Sequence, residues 1–395
     1  MKLAHLADIH LGFRQHHRLT PQGINQREAD VARAFRLVVD DVVDAAPDVV
    51  VIAGDLFNSV RPSNPAILHS FNQFRRLRLA LPEAPVVIVA GNHDTPRSVE
   101  TGTILKLFEA VGGVHVVAAE PRDLLFEELD LSITCVPHIA WLAGTRPTLT
   151  PPGGARYQVA VTHGEVAGVL PRDAGAMEYG GAVLEPGEIN AERWDYVALG
   201  HYHVAHKVRD NAWYSGALEY VSPNPWGELK DEAREGRKGQ KGWLLVDLAD
   251  GAAVEFRPIP LARRLIDLDP LHAAGLPAEE IDAHIRKQIE GVKEGIEDQV
   301  VRQVVFDVPR PVARDLDNAA IRDYKANALH YHLDLRRPLP HREVGVAAPG
   351  QRQTLADVLN EYLEHRPLDA DVDRDRLVAL GRTYMDEVER TLLEE

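Results

Sequence analysis

Cysteine is almost absent from this 395-residue chain, which has only Cys135. A single cysteine excludes an internal disulfide framework and a zinc site built from several thiolates. We therefore expect a cytoplasmic protein, in a reducing compartment. The chain also has no apolar run as long as a membrane span, and its amino terminus enters a strand pattern at once, so we expect neither a membrane helix nor a signal peptide.

An excess of positive charge is missing as well. The chain has 44 Lys and Arg residues against 60 Asp and Glu residues, which gives a formal net charge of -16. Such an acidic chain has no general attraction for a polyanion, so any binding of nucleic acid must depend on local basic patches, metal ions or a partner. Bound divalent cations can outweigh the acidic average, because they are the largest local charges in a site.

The composition is otherwise that of a globular protein, with 45% hydrophobic and 26% charged residues. The length suggests two or three domains. Potential metal ligands follow five apolar, strand-like runs, and residues 84–90 are the clearest of these runs because they are rich in valine and isoleucine and end at Gly91. In open α/β sheets the carboxyl ends of strands meet at one crevice. The polar residues at these five ends are Asp8 and His10, Asp55, Asn92 with His93 and Asp94, His163, and His201 with His203.

Most of these polar residues can be assigned as ligands of two metal ions. Mixed nitrogen and oxygen ligands without cysteine favour manganese, iron or zinc over calcium or magnesium. Asp55 is the candidate shared ligand, because its two carboxylate oxygens can bridge two cations. We assign one ion to Asp8, His10, Asp55 and His203, and the other to Asp55, Asn92, His163 and His201. Two cations about 3.5–4 Å apart can activate water and hold a phosphoryl group for in-line displacement.

His93 remains outside both ligand sets. Beside Asn92 it cannot easily share the same ion, but it can protonate a leaving oxygen and add positive charge to a transition state. We expect Asp94 to orient the His93 ring, as an acidic partner commonly does for a catalytic histidine.

Each strand end also has a structural interpretation. Asp8 and His10 could be a polar turn, Asp55 a helix cap and His163 a structural histidine. Five repetitions of the same placement favour the metal ligands. His138 and His206 have no comparable setting and stay unassigned.

The rest of the chain alternates helical and strand patterns. Helical spacing of apolar residues predicts helices over 28–46 and around 67–77, and a short helix over 103–111. Mixed charges over 223–242 predict a mobile loop. We divide the chain into a first domain over 1–260, a small α+β domain over 261–345, and a helical tail over 346–395. The tail includes helices at 354–364 and 373–394 with apolar stripes, following a linker at 338–350.

A family resemblance now becomes clear. Asp8-x-His10, Gly54-Asp55, Gly91-Asn92-His93-Asp94, His163 and Gly200-His201-x-His203 together resemble the signature of the calcineurin-like metallophosphoesterases. The metal assignments above match what that family implies position by position. Within the family, the segments around Asp8, Asp55 and His201 resemble the nuclease subunit of SbcCD-type DNA repair complexes.

This resemblance implies an α/β fold, a two-sheet sandwich flanked by helices. It also implies that the small α+β domain caps DNA and that the tail binds an SbcC-type coiled-coil ATPase. A homodimer through the helices near 67–77 and 103–111 is implied as well. One departure is Asn58, which stands where relatives often have histidine or aspartate, so a second phosphate-contacting histidine is not assured. Another is that the chain lacks the arginine of the protein phosphatase motif, which argues against that class.

We therefore expect a manganese-dependent exonuclease and endonuclease that hydrolyses DNA by a two-metal mechanism. One alternative is a phosphodiesterase that acts on small nucleotides or nucleotide-linked metabolites, although the large additional domains argue against it. The other is a non-catalytic scaffold that tethers DNA ends, which the intact ligand set makes less favoured.

Overall fold

The computed structural model describes residues 1–96, 102–170, 180–338, 359, 362–363, 365 and 372–394. The chain forms two compact units, Met1–Arg337 and Pro338–Glu395. The first unit contains both large sheets and a smaller third sheet, and the second contains a long helix.

The strands and helices follow one another in the order expected of a mixed α/β protein. The strands are β1 (Lys2–Leu6), β2 (Val49–Ala53), β3 (Val86–Val89), β4 (Val114–Val117), β5 (Arg122–Phe126), β6 (Leu131–Val136), β7 (Tyr157–His163), β8 (Glu165–Val166), β9 (Val183–Leu184), β10 (Tyr196–Gly200), β11 (His206–Arg209), β12 (Ala212–Tyr214), β13 (Lys241–Asp247), β14 (Ala253–Ile259), β15 (Leu265–Asp267), β16 (Leu271–His272), β17 (Val300–Phe306) and β18 (His330–Leu335). The helices are α1 (Gln26–Ala45), α2 (Asn64–Ala80), α3 (His138–Trp141), α4 (Pro186–Ile189), α5 (Pro225–Arg234), α6 (Ala278–Glu290), α7 (Arg310–Asp315), α8 (Asn318–Asn327) and α9 (Arg374–Glu394). Residues Ile104–Ala110 form a 3-10 helix where a short helix was predicted.

Two six-stranded sheets pack face to face. The first has the order β14-β13-β1-β2-β3-β4, and the second has the order β11-β12-β10-β7-β6-β5. Strands β1 to β4 are parallel to one another, as are β6, β7, β10 and β12. The predicted two-sheet α/β fold is therefore confirmed.

Alternation along the strands builds a core on each side of the first sheet. In β2, Val49 and Val51 pack into the core between the two sheets, whereas Val50 and Ile52 pack toward α1 and α2. Successive residues of a strand point to opposite faces of the sheet. A strand in which every residue is apolar therefore contributes side chains to the core on each face. Helix α1 adds Val38 to the outer core, and Phe74 on α2 packs edge-on against Phe35.

The parallel strands deliver their carboxyl ends to one edge of the sandwich. There the Asp8 backbone N–H donates to the Gly54 carbonyl at 3.1 Å, and the His10 N–H donates to the Asp55 carbonyl at 3.0 Å. Strand β7 ends at His163, which pairs in register with Gly200 at the end of β10. Five strand ends from two sheets thus meet, as the sequence predicted.

The prediction of a mobile loop over 223–242 is wrong. The segment contains helix α5, and Glu228, Leu229, Asp231 and Glu232 of that helix are buried. The carboxylates of Glu228 and Glu232 face a buried lysine, Lys241, rather than solvent. Charge composition could not reveal this, because the lysine lies on the next strand.

The third sheet organises the small α+β region of the first unit. Strand β17 is its centre and pairs in parallel with β15, β16 and β18. Three isoleucines of α6, at positions 281, 285 and 289, pack on this sheet in a separate core. Helix α8 begins at Asn318, where the Asp317 carboxylate accepts the N–H groups of Ala319 and Ala320 as an N-cap.

Helix α9 confirms the second predicted tail helix. The first predicted tail helix, 354–364, and the linker, 338–350, lie almost entirely outside the described residues. Within the described ranges, no helix is both long enough and apolar enough to cross a bilayer. The predicted domain boundaries at 260 and 345 stay a prediction.

Candidate metal centre

The side chains of Asp8, His10 and His203 form one cluster of potential ligands. One ligand atom from each lies within 4.8 Å of the other two, and all three side chains are buried. The His10 and His203 rings meet edge to face, with centroids 5.0 Å apart. These are three of the four residues that the sequence assigns to one ion.

Asp55, His163 and His201 form a second cluster of the same kind. Asn92 joins it, because its Oδ1 lies 2.8 Å from His163 Nε2 and 3.2 Å from His201 Nδ1. The Ala53 carbonyl oxygen lies 2.9 Å from His163 Nδ1. That contact orients the ring and leaves Nε2 for an ion, an arrangement typical of metal-binding histidines.

Asp55 lies between the two clusters. Its Oδ2 is 3.2 Å from His163 Nε2 in one cluster and 3.8 Å from His10 Nε2 in the other. Its Oδ1 accepts the His93 backbone N–H at 2.9 Å. One carboxylate oxygen, Oδ2, thus faces ligand atoms of both predicted ions, whereas the sequence predicts that the two oxygens of Asp55 bridge the ions. The bridging role of Asp55 stays a prediction.

Glycines let the backbone approach these side chains closely. A Cβ on Gly54 would lie 2.1 Å from His163 Nδ1, and a Cβ on Gly91 would lie 2.1 Å from Asp55 Oδ1. A Cβ on Gly181 would likewise lie 2.1 Å from His201 Nε2. No side chain fits at these three positions without displacing a candidate ligand.

Several candidate ligands have a strained backbone. Asp8, His10 and Asp55 each have φ of 51°, and His201 has φ of 106°. Residues with a side chain rarely adopt positive φ, and such residues concentrate at functional sites, where surrounding structure holds them in place. The His201 N–H, for example, donates to both oxygens of Asp8, at 3.0 and 3.1 Å.

His93 forms a third group of potential ligand atoms with His10 and Asp55, although the sequence places it outside both ligand sets, and it remains partly exposed. Its ring lies edge-on to His10 at 4.8 Å, and its Nδ1 is 2.8 Å from the Asn58 carbonyl oxygen. A cleft of about 520 Å³ opens here, lined by Asn58, Asn92, His93, Thr95, His138 and Leu142 among others. His93 therefore reaches both the ligand clusters and the open cleft.

Asp94 makes different contacts from those expected. Its buried carboxylate accepts the backbone N–H groups of Leu56 and Phe57 at 3.1 Å and that of Gly91 at 3.2 Å. Asp94 thus ties the loop after β2 to the loop after β3. The Asn58 carbonyl oxygen, and not the Asp94 carboxylate, holds the His93 ring at Nδ1.

Burial and charge perturb the acids strongly. Burial raises the pKa of Asp8 to about 6, and burial together with the Asp55 charge raises the pKa of Asp94 to about 7. Burial favours the neutral form of Asp55 too, but the neighbouring histidines, above all His163, hold its pKa well below the usual range. Burial would lower the pKa of His163, yet the Asp55 and Asp8 charges raise it to about 9. Divalent cations would stabilise such buried carboxylates, so the donor set fits the predicted ions.

Sequence reasoning missed the groups that hold the ligands. The carbonyl oxygens of Ala53 and Asn58 carry no side-chain signal, and Glu228, which lies 3.6 Å from His203 Nδ1, is on the helix mistaken for a loop. His138 is buried and lines the cleft, and its ring centroid lies 6.2 Å from that of His163. His206 contacts Glu235 at 2.7 Å, which gives it a structural partner.

Comparison with known proteins identifies relatives of the whole site region. The family model described as calcineurin-like phosphoesterase matches residues 1–205. Three curated relatives are each named DNA double-strand break repair protein Mre11. The protein of Methanopyrus kandleri is 27% identical over 270 residues, which are 65% of this chain and 56% of that protein. The protein of Methanocaldococcus jannaschii is 26% identical over 259 residues, 63% of each chain.

The third relative, from Sulfolobus acidocaldarius, is 22% identical over 379 residues, which are 92% of this chain and 90% of that protein. The chain thus spans little more than half the length of the first two relatives and most of the third. The family match covers more than half of the chain and all seven candidate ligands. On this evidence the chain belongs to the calcineurin-like phosphoesterases, a family of metal-dependent hydrolases.

Proposed function

We propose that this chain is a manganese-dependent nuclease that hydrolyses DNA phosphodiester bonds in DNA repair, as an exonuclease and an endonuclease. The observation that supports this most directly is the pair of ligand clusters joined at Asp55, with His93 next to His10 at an open cleft. The names of the relatives support DNA as the substrate.

The proposed ligand sets follow the clusters. Asp8, His10, Asp55 and His203 would hold one ion, and Asp55, Asn92, His163 and His201 the other. Two such ions supply Lewis acidity and an activated water for in-line displacement at phosphorus. Mixed imidazole and carboxylate ligands support manganese over magnesium.

His93 would donate the proton that the leaving oxygen needs. In the imidazolium form, Nδ1–H donates to the Asn58 carbonyl, and Nε2–H is the group that would protonate the leaving oxygen. As the P–O bond breaks, the proton moves from Nε2 to the leaving oxygen, and the neutral ring remains. Asp94 would act indirectly, because its bonds to Leu56, Phe57 and Gly91 hold the loops that position Asn58 and His93.

A substrate panel tests this function. End-labelled single-stranded and duplex DNA, a small nucleotide diester and a phosphomonoester are incubated with the purified chain and Mn²⁺, with and without excess chelator. We expect DNA cleavage that chelator abolishes, and little phosphomonoester hydrolysis. Preference for the small diester would favour the metabolite phosphodiesterase, absence of hydrolysis with intact metal binding would favour the tethering scaffold, and cleavage in excess chelator would refute the metal mechanism.

We also propose that the tail binds a coiled-coil ATPase of the SbcC type. On α9, Leu380 is 50% exposed and Tyr384 is 61% exposed, so an apolar stripe is open on a charged helix. Deletion of residues 351–395 should abolish co-purification with that ATPase and leave basal DNA cleavage intact. Co-purification of the deleted chain would contradict the proposal.

A further inference from the structure

A buried carboxylate lies behind one of the candidate ligands. Glu228 on α5 is fully buried, and its Oε1 is 3.6 Å from Nδ1 of His203. That distance is longer than a hydrogen bond, so the contact is electrostatic. The Ser222 backbone N–H donates to the same oxygen at 3.0 Å and fixes where the carboxylate lies.

Lys241 on β13 binds both Glu228 and the backbone of His203. Its ammonium group pairs with Glu228 Oε2 and donates to the His203 carbonyl at 2.9 Å. Glu232 Oε1 lies 3.1 Å from the same ammonium group. Because Lys241 is only 2% exposed, this group of charges is screened little by water. Side chain and backbone of His203 are therefore both tied to one rigid, buried network.

The two ring nitrogens of His203 face different surroundings. Nδ1 lies on the side of the Glu228 carboxylate, and we assign Nε2 to the cluster with Asp8 and His10. A carboxylate beside one imidazole nitrogen favours the hydrogen there, since the N–H dipole then points at negative charge. The other nitrogen keeps its lone pair and becomes a more basic ligand.

We propose that Glu228, held by Lys241, is a positioning residue for His203 that keeps the hydrogen on Nδ1 and presents Nε2 to a divalent cation. The inference rests on the proposed metal assignment and goes beyond it, because Glu228 is not itself a ligand. It also gives α5 a role at the site although the helix contributes no ligand.

The candidate ligand His163 is oriented differently. Its Nδ1 lies 2.9 Å from a backbone carbonyl oxygen, that of Ala53. A carbonyl fixes a tautomer without adding a full negative charge. Loss of the Glu228 charge should therefore weaken the ion held by His203 and leave the ion held by His163 unchanged.

The test measures Mn²⁺ affinity rather than cleavage. Free Mn²⁺ is counted by electron paramagnetic resonance while the full-length chain and its Glu228→Gln variant are titrated. We expect one of the two sites of the variant to weaken by about 10- to 100-fold, the usual effect of losing the partner of a metal-binding histidine. The second site should keep its affinity.

Glu232→Gln is the matched control. Glu232 lies on the same helix, is buried and contacts the same lysine, but its carboxylate is engaged by the Tyr220 hydroxyl at 2.7 Å and the Gly239 N–H at 2.9 Å. We expect this variant to bind Mn²⁺ at both sites as the parent chain does. Equal weakening in both variants would mean a general structural effect and would overturn the proposal.

A second variant keeps the test informative if Glu228→Gln does not fold. Glu228→Gln alone leaves Lys241 paired with Glu232, whereas Glu228→Gln combined with Lys241→Met removes both charges of the Glu228–Lys241 pair. Glu232 then keeps its hydrogen bonds from the Tyr220 hydroxyl and the Gly239 N–H. If the single variant does not fold, the double variant should fold and lose the same site. Parental affinity at both sites, in either folded variant, would contradict the role of Glu228. Because the readout is metal binding, a chain that binds Mn²⁺ but cleaves no DNA would refute the proposed function and leave this inference intact.

Discussion

Gly54 is one of the three glycines at which the backbone approaches a candidate ligand closely. It has φ of +93°, and an added Cβ would lie 2.1 Å from Nδ1 and 2.9 Å from Cβ of His163. Movement of a flexible side-chain end cannot relieve this clash, because the whole imidazole ring of His163 would have to shift. The Ala53 carbonyl holds the ring at the same nitrogen, Nδ1.

Gly54→Ala should therefore lose stability and metal binding together. Gly23→Ala is the control, because Gly23 also has positive φ, +78°, but has open space around it. The control should lose about 1 kcal/mol from backbone strain alone. Gly54→Ala should lose about 1–3 kcal/mol more from overpacking, together with Mn²⁺ affinity. Urea unfolding and Mn²⁺ titration measure both effects, and equal losses in the two variants would argue against the close approach.

The identity of the candidate ligands could be predicted from sequence because strand ends are local signals. Asp8, Asp55 and His163 each follow an apolar run, and parallel strands necessarily bring such ends to one edge. The role of Asp94 could not be predicted in this way. Its contacts are backbone N–H groups of another loop, whose position depends on the folded sandwich.

At the scale of elements, α5 and β13 are joined by buried ion pairs that were not predicted from the sequence. Charged residues on α5 face inward because Lys241 of β13 lies buried against them. Burial would lower the pKa of Lys241, but Glu228 and Glu232 raise it above its ordinary value. The helix also contacts the small α+β region, because Arg302 of β17 stacks over the Trp226 ring at 4.7 Å.

Lys241→Met should destabilise the chain strongly. The substitution removes one partner of a buried charge group and leaves Glu228 and Glu232 facing each other without a cation. Breaking a buried ion pair in this way costs about 3–5 kcal/mol. Thermal or urea unfolding of the variant measures the loss, and Lys207→Met is the control, since Lys207 is 51% exposed in its pair with Asp210. A loss no greater than that of the control would contradict the buried network.

The helices and strands of the two large sheets were more predictable than α5. Their apolar periodicity is strong, and α1, α2 and β3 lie close to the predicted ranges. Helix α5 has a charged sequence whose partners are distant along the chain, so periodicity and composition favoured a loop. Long-range pairing of charges, rather than local propensity, decided the structure there.

At the scale of the molecule, the candidate metal ligands of this acidic chain lie together at one edge of the two large sheets. The net charge of -16 gives no general attraction for DNA. Under the proposed function, DNA binding would depend on ions held by the clusters and on local groups. The loop after β1 meets the small α+β region, where Arg18 pairs with Asp298 at 2.9 Å and the His16 and His330 rings stack at 3.9 Å.

A homodimer stays a prediction, and exposed side chains support the segments chosen for it. Leu68 on α2 is 64% exposed and Leu107 is 40% exposed, so both predicted segments present apolar groups to solvent. The double variant Leu68→Glu with Leu107→Glu should reduce the mass measured by light scattering from dimer to monomer. Leu125→Glu, at a site 54% exposed on β5, should leave the mass unchanged. A monomeric parent chain would contradict the prediction.

The role of His93 at a two-ion site is the central claim, and one experiment tests it most directly. The chain and its His93→Ala variant are loaded with Mn²⁺, their metal content is measured, and cleavage of end-labelled DNA is followed in the same samples. We predict two ions per chain in both proteins and a rate lower by about 100- to 10,000-fold in the variant, the usual contribution of a general acid. A variant that cuts DNA as fast as the parent, or that loses its metal ions, would contradict the separation of His93 from the ligands.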